Sequence, residues 1–140
     1  MSNSFPTIRP VLIAVLACLT VGCNRSDRVP VSGRITLDGQ PLAGAFVSVQ
    51  PTTGMNPGAG AYGRTDADGV YELRSMIDDQ LGTVVGPHQV SVTTSIPEAP
   101  NSDRMSVERL PTRYHMKSQL SLTVPEGGTT AAHFDLTSRP

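Results

Sequence analysis

Hydrophobic and polar residues alternate with period two along most of the chain beyond residue 28. In residues 29–38, Val29, Val31, Gly33, Ile35 and Leu37 share one face, and Pro30, Ser32, Arg34, Thr36 and Asp38 share the other. This is the pattern of a strand with one face in a core. Asp38-Gly39 follows, a pair that enters positive φ readily and supplies a turn. Residues 45–50 predict a second strand with Ala45, Val47 and Val49 inward, and the Gly- and Pro-rich residues 52–60 predict a loop. Residues 61–65 and 70–74 flank Asp66-Ala67-Asp68-Gly69, which predicts a hairpin turn with Tyr71 and Leu73 facing the core. Residues 75–86 are irregular. Residues 87–94 alternate again, with His88, Val90 and Val92 on one face. Residues 95–113 carry Pro97, Pro100 and Pro111 without clear periodicity, with one helical turn expected near residues 104–109. Two last strands follow on either side of the turn at residues 125–128. Residues 119–124 place Leu120, Leu122 and Val124 inward, and residues 131–137 place Ala132, Phe134 and Leu136 inward.

About seven short strands, punctuated by turns, predict an all-β fold, a Greek-key β-sandwich over residues 29–140. The absence of Trp and the low aromatic content of 4% require a core built mainly of Val, Leu, Ile and Ala.

The start of the chain obeys a different rule. Residues 11–21 read VLIAVLACLTV, uncharged and apolar, with Arg9 before the run and Gly22-Cys23 after it. Spanning a bilayer takes roughly 20 apolar residues, so this run is too short for a membrane helix. A basic start, a short apolar run and small residues at its end make a secretory signal, assigned to residues 1–22. Cys18 leaves with that segment, and Cys23 becomes the sole cysteine of the mature chain, so no intramolecular disulfide can form. Residues 24–28 are a polar tether that reaches at most about 18 Å when extended.

Leu19-Thr20-Val21-Gly22-Cys23 resembles the lipobox of bacterial lipoproteins. The resemblance implies cleavage between Gly22 and Cys23 and a diacylglycerol on the Cys23 sulfur, bearing fatty acyl chains such as palmitate. Thr20 stands where that pattern usually has Leu, and Val15-Leu16-Ala17-Cys18 also fits it. Two or three acyl chains anchor a protein stably, whereas one binds only marginally.

Residues 31–45, VSGRITLDGQPLAGA, resemble the opening of carboxypeptidase regulatory-like domains, and residues 65–73, TDADGVYEL, resemble their second hairpin. Residues 86–92, GPHQVSV, resemble the strand that follows, with His88 where that family often has an aromatic residue. LPTRY at 110–114, LSLTV at 120–124 and FDL at 134–136 resemble the ends of small lipoproteins of planctomycete bacteria. The resemblance implies a transthyretin-like, or prealbumin-like, sandwich that carries no catalytic residues of its own.

Charge and candidate chemistry narrow the function. The net charge of −1 gives no basic excess for nucleic acid. His88, His115 and His133 have no metal-ligand spacing, and there is no CxxC pair. Asp66-Ala67-Asp68-Gly69 starts like a calcium loop, but Ile77 stands where the bidentate Glu is needed. No Ser lies in a Gly-x-Ser-x-Gly elbow. Phe46, Tyr62 and Tyr114 are the candidates for an exposed sugar platform.

The reading expected from sequence is therefore a non-enzymatic, cofactor-free module of the cell envelope. It is lipid-anchored through Cys23 to a membrane, faces the periplasm or the exterior, and binds an envelope protein or polysaccharide. A carbohydrate- or calcium-binding module, or the accessory domain of an envelope enzyme, are the alternatives. Sandwich edges and the loop at residues 95–113 are the expected contact surfaces.

Overall fold

A computed structural model describes residues 28–53 and 60–140. The expected signal segment, the expected tether up to residue 27 and most of the 52–60 loop lie outside the described residues. The described chain is all-β, with one 3-10 turn at Thr112–Tyr114. It holds eleven short strands: β1 (Arg28–Val29), β2 (Ser32–Leu37), β3 (Gln40–Pro41), β4 (Phe46–Pro51), β5 (Ala61–Arg64), β6 (Val70–Glu72), β7 (Arg74–Ser75), β8 (Thr83–Val84), β9 (Gly86–Thr93), β10 (Leu120–Val124) and β11 (Phe134–Leu136).

Five strands form an antiparallel sheet in the order β10-β9-β4-β5-β7. A second sheet is organised around β2, which pairs in parallel with β11 and antiparallel with β3 and β6. β1 and β8 make a small antiparallel ribbon. The inward faces of both large sheets meet in one core. Val47, Val49, Ala61, Val90, Val92 and Val124 come from the first, and Ile35, Tyr71 and Leu136 from the second. This is an arrangement of the β-sandwich kind.

The predicted alternation is present in β2, β4 and β9. Ile35, Ala45, Val47, Val90 and Val92 are fully buried, and Val31 and Val49 nearly so. Asp38 and Gly39 have φ of 51° and 82°, as the predicted turn requires, and connect β2 to β3 as a two-residue turn. The Asp38 carboxylate is held by the Ser138 amide and hydroxyl at 2.9 and 2.6 Å, which ties this turn to the end of the chain.

Three expectations are corrected. Residues 66–69 do not close a hairpin, because β5 pairs with β4 and β7 while β6 pairs with β2. The turn instead carries the chain from one sheet to the other. Gly69 is required there: its φ is +75°, and a Cβ would lie 2.4 Å from the Ile35 carbonyl oxygen. Residues 75–86 are less irregular than expected, since they contain the end of β7 and all of β8. No helical turn forms at residues 104–109. The Ser106 amide donates to the Ile96 carbonyl and the Arg109 amide to the Thr94 hydroxyl, so this segment folds back along the chain leaving β9.

Ile35→Ala should cost on the order of 2–5 kcal/mol in a urea denaturation series, because it empties a fully enclosed site. Thr36→Ala on the opposite face removes only an exposed bond to Asp135 and should cost less than about 1 kcal/mol. Equal losses at the two positions would contradict the assignment of faces.

Candidate functional site

Gly22 and Cys23, the predicted cleavage and lipidation residues, lie outside the described residues. The structure places the first described residue beyond them. Arg28 pairs with Val84 through β1 and β8, and its guanidinium meets both carboxylate oxygens of Asp78 at 2.8 and 2.7 Å. That contact holds the Asp78 carboxyl below the usual carboxylate range. The chain therefore enters the domain at a fixed point.

β9 leads from this ribbon to the other end of the molecule. Its eight residues span roughly 26 Å. At its far end lies the 95–113 loop, which shows no clear periodicity in sequence but which one carboxylate organises. Glu108 Oε1 accepts the Thr94 amide at 3.0 Å, the Thr94 hydroxyl at 2.7 Å and the Leu110 amide at 3.1 Å, while Oε2 accepts the Thr93 hydroxyl. His115 Nε2 stands 4.0 Å from Oε2. Burial pushes the Glu108 carboxyl up, but these hydrogen bonds outweigh it and hold the pKa at about 2. The arm beyond is cross-linked by a bridge between Pro97 and Met105 and by the Glu98 amide to the Arg104 carbonyl. Arg109 ties its base to the Ala43 carbonyl at 2.9 Å.

Between this arm, Phe46 and Arg64 lies a cavity of about 420 Å³. Register places Phe46 beside both Thr93 and Arg64, so β4, β5 and β9 position its floor. The Phe46 ring stacks on Tyr62 at 5.7 Å, and the Tyr62 hydroxyl donates to Asp79 at 2.6 Å. Two of the three predicted aromatics are thus brought together on the outer face of the larger sheet. Tyr114 is not with them. It packs against the core, Arg113 lies over its ring at 4.7 Å, and its oxygen accepts the Thr137 amide.

A larger cavity of about 560 Å³ lies over the outer face of β2 and β11, lined by Arg34, His133 and Asp135 among others. His133 is exposed, as expected, and its Nδ1 accepts the Arg34 amide at 2.9 Å, which extends the ladder between the two strands. His115 is half-buried against the Leu110 carbonyl. His88 is fully buried. Its Nδ1 donates to the Gly86 carbonyl at 2.9 Å and its Nε2 accepts the Thr83 hydroxyl at 3.2 Å, roles assigned from these partners. Burial lowers its pKa and keeps it neutral. The three histidines are apart, and among the described residues no three metal-ligating side chains converge. The Asp66 carboxylate is engaged by the amides of Asp68 and Val70 at 2.9 and 3.0 Å, so the turn closes on itself.

Glu108 is the residue that sequence reasoning missed. Its threonine partners are 15 and 14 residues away, and no periodicity or motif marks it. No family model, curated protein or solved structure matches this chain.

The Glu108 network predicts an acid-sensitive loop. Its folded pKa lies below its ordinary value, so its contribution is complete above about 4.5 and fades as pH falls toward about 2. Glu108→Gln should cost on the order of 2–3 kcal/mol at neutral pH. The gap between wild type and variant should close across that window. A gap that stays constant down to pH 2 would contradict the assignment.

Proposed function

We propose that this chain is a lipid-anchored cell-envelope protein whose domain works as a non-enzymatic interaction module. The proposed domain is a carboxypeptidase regulatory-like sandwich of Greek-key, transthyretin-like form. Its mature chain begins at acylated Cys23, and four residues separate that cysteine from the fixed position of Arg28. The observation that carries this reading is the uncharged run at residues 11–21, which ends on Gly22-Cys23 directly before the domain.

The domain then has two ends with different tasks. One receives the tether at the β1–β8 ribbon. The other, at the far end of β9, holds up the Glu108-braced arm and the groove at Phe46 and Arg64. A rigid scaffold that displays an ordered loop is suited to recognition of an envelope partner. The groove also favours a second reading, carbohydrate binding: it offers an aromatic side chain beside a guanidinium with no hydrogen-bond or ion-pair partner among the described residues. For calcium, the engaged Asp66 carboxylate leaves little support.

Wild-type protein expressed with its signal should partition into detergent and carry the mass of acyl chains on Cys23. Cys23→Ala should abolish both lipidation and processing, and Cys18→Ala should leave them intact. Unaltered partitioning and processing in Cys23→Ala would contradict the anchor, and loss only in Cys18→Ala would move it.

A further inference from the structure

Eight large apolar side chains are exposed among the described residues, and four of them fall within residues 76–85: Met76, Ile77, Leu81 and Val85, at 49%, 68%, 49% and 43% exposure. The other four are spread over residues 70–116 outside that stretch. A tenth of the described chain thus carries half of its exposed apolar bulk. Isolated surface hydrophobes are ordinary, but a concentration of them marks a contact surface.

This stretch is built around the point where the chain enters the domain. Ile77 precedes Asp78, which holds the Arg28 guanidinium. Val85 follows Val84, the β-partner of Arg28. Leu81 precedes Gly82, which lies so close to Val29 that a Cβ there would come within 2.4 Å of the Val29 carbonyl oxygen. The segment is also rigid enough to present these side chains. The Ser75 amide bonds to the Gln80 carbonyl, the Asp79 amide to the Ser75 carbonyl, and Leu81 bridges Arg74.

We infer that the turn formed by residues 76–85 docks on the lipid surface, with Ile77 and Leu81 entering the interface between headgroups and acyl chains. This rests on the anchor reading above, which limits the distance. Five residues from Asn24 to Arg28 reach at most about 18 Å, so the β1–β8 ribbon stays near the membrane that holds Cys23. Apolar side chains fixed beside that ribbon meet lipid before any other partner, and each one buried adds to the acyl anchor. The docked domain stands on its tether end, with the Phe46 groove directed away from the membrane.

The absence of Trp in the sequence provides a clean probe. The full chain, purified from membranes, is placed in phosphatidylethanolamine–phosphatidylglycerol vesicles containing brominated lipid, as Ile77→Trp or Val107→Trp. Val107 is 83% exposed and lies in the loop at the far end of β9. The indole at 77 should be blue-shifted and quenched at least threefold more than that at 107. Leu81→Ser added to Ile77→Trp should lessen this quenching, while circular dichroism and thermal unfolding verify the fold. Equal quenching at the two positions would overturn the docking surface. So would a blue shift at 77 that follows protein concentration instead of lipid, which would mark a contact between copies. The mass of Cys23 is measured on the same samples. Missing acyl mass would overturn the anchor reading and the docking that rests on it, whereas equal quenching with the acyl mass present would overturn the docking alone.

Discussion

β9 is bonded along both edges, and the two ends of the domain owe their separation to it. β4 covers one edge from Thr93 to His88, and β10 covers the other from Val90 to Gly86. A strand held this way cannot slip by one residue, because a slip would turn Val90, Val92 and His88 out of the core together. Its first residue therefore stays beside the β1–β8 ribbon and its last beside the Glu108 network. His88 is the costly member of this row. A buried imidazole is tolerated because both ring nitrogens have partners, and burial, which lowers its pKa, favours the neutral form.

The second sheet depends in a similar way on β2. Both edges of that strand are occupied, and the Ile35 amide and carbonyl reach Gly69 and Leu42 at 2.8 and 3.0 Å. Gly33 allows the closest approach: a Cβ there would meet the Ala132 carbonyl oxygen at 1.9 Å. The Tyr71 hydroxyl donates to that same carbonyl at 2.6 Å, so β6, β2 and the approach to β11 form one buried junction. The sheets are joined by a turn that satisfies its own amides through Asp66, which leaves it free to cross from one layer to the other.

Local pattern made much of this legible. Val31, Ile35, Val47, Val49, Val90 and Val92 announce their faces by alternation, and Asp38-Gly39 announces its turn by the φ values it can reach. Partner choice was not legible. The residues 66–69 have the same chemistry whether the turn closes a hairpin or links two sheets, and only the distant approach of β6 to β2 decides between them. The parallel pairing of β11 with β2 joins residues about a hundred positions apart and leaves no local mark. The loop at 95–113 lacked periodicity because its order comes from one carboxylate gathering amides and hydroxyls. The Phe46 groove was half-legible: the aromatics were named, but their union with Arg64 comes from register.

These constraints fix the β1–β8 ribbon and the Glu108-braced loop relative to each other, and the orientation on the membrane that we propose is the central claim. It is tested most directly by height. With Cys18 removed and Cys23 acylated, Asn101→Cys supplies a unique thiol at the display end for a donor dye, and acceptor lipids mark the headgroup plane. Energy transfer in acylated full-length protein on a supported bilayer should place the dye roughly 25–30 Å above that plane, the length of β9 with its flanking turns. A dye found in the headgroup region would mean that the domain lies on its side or is inverted, and would contradict the account.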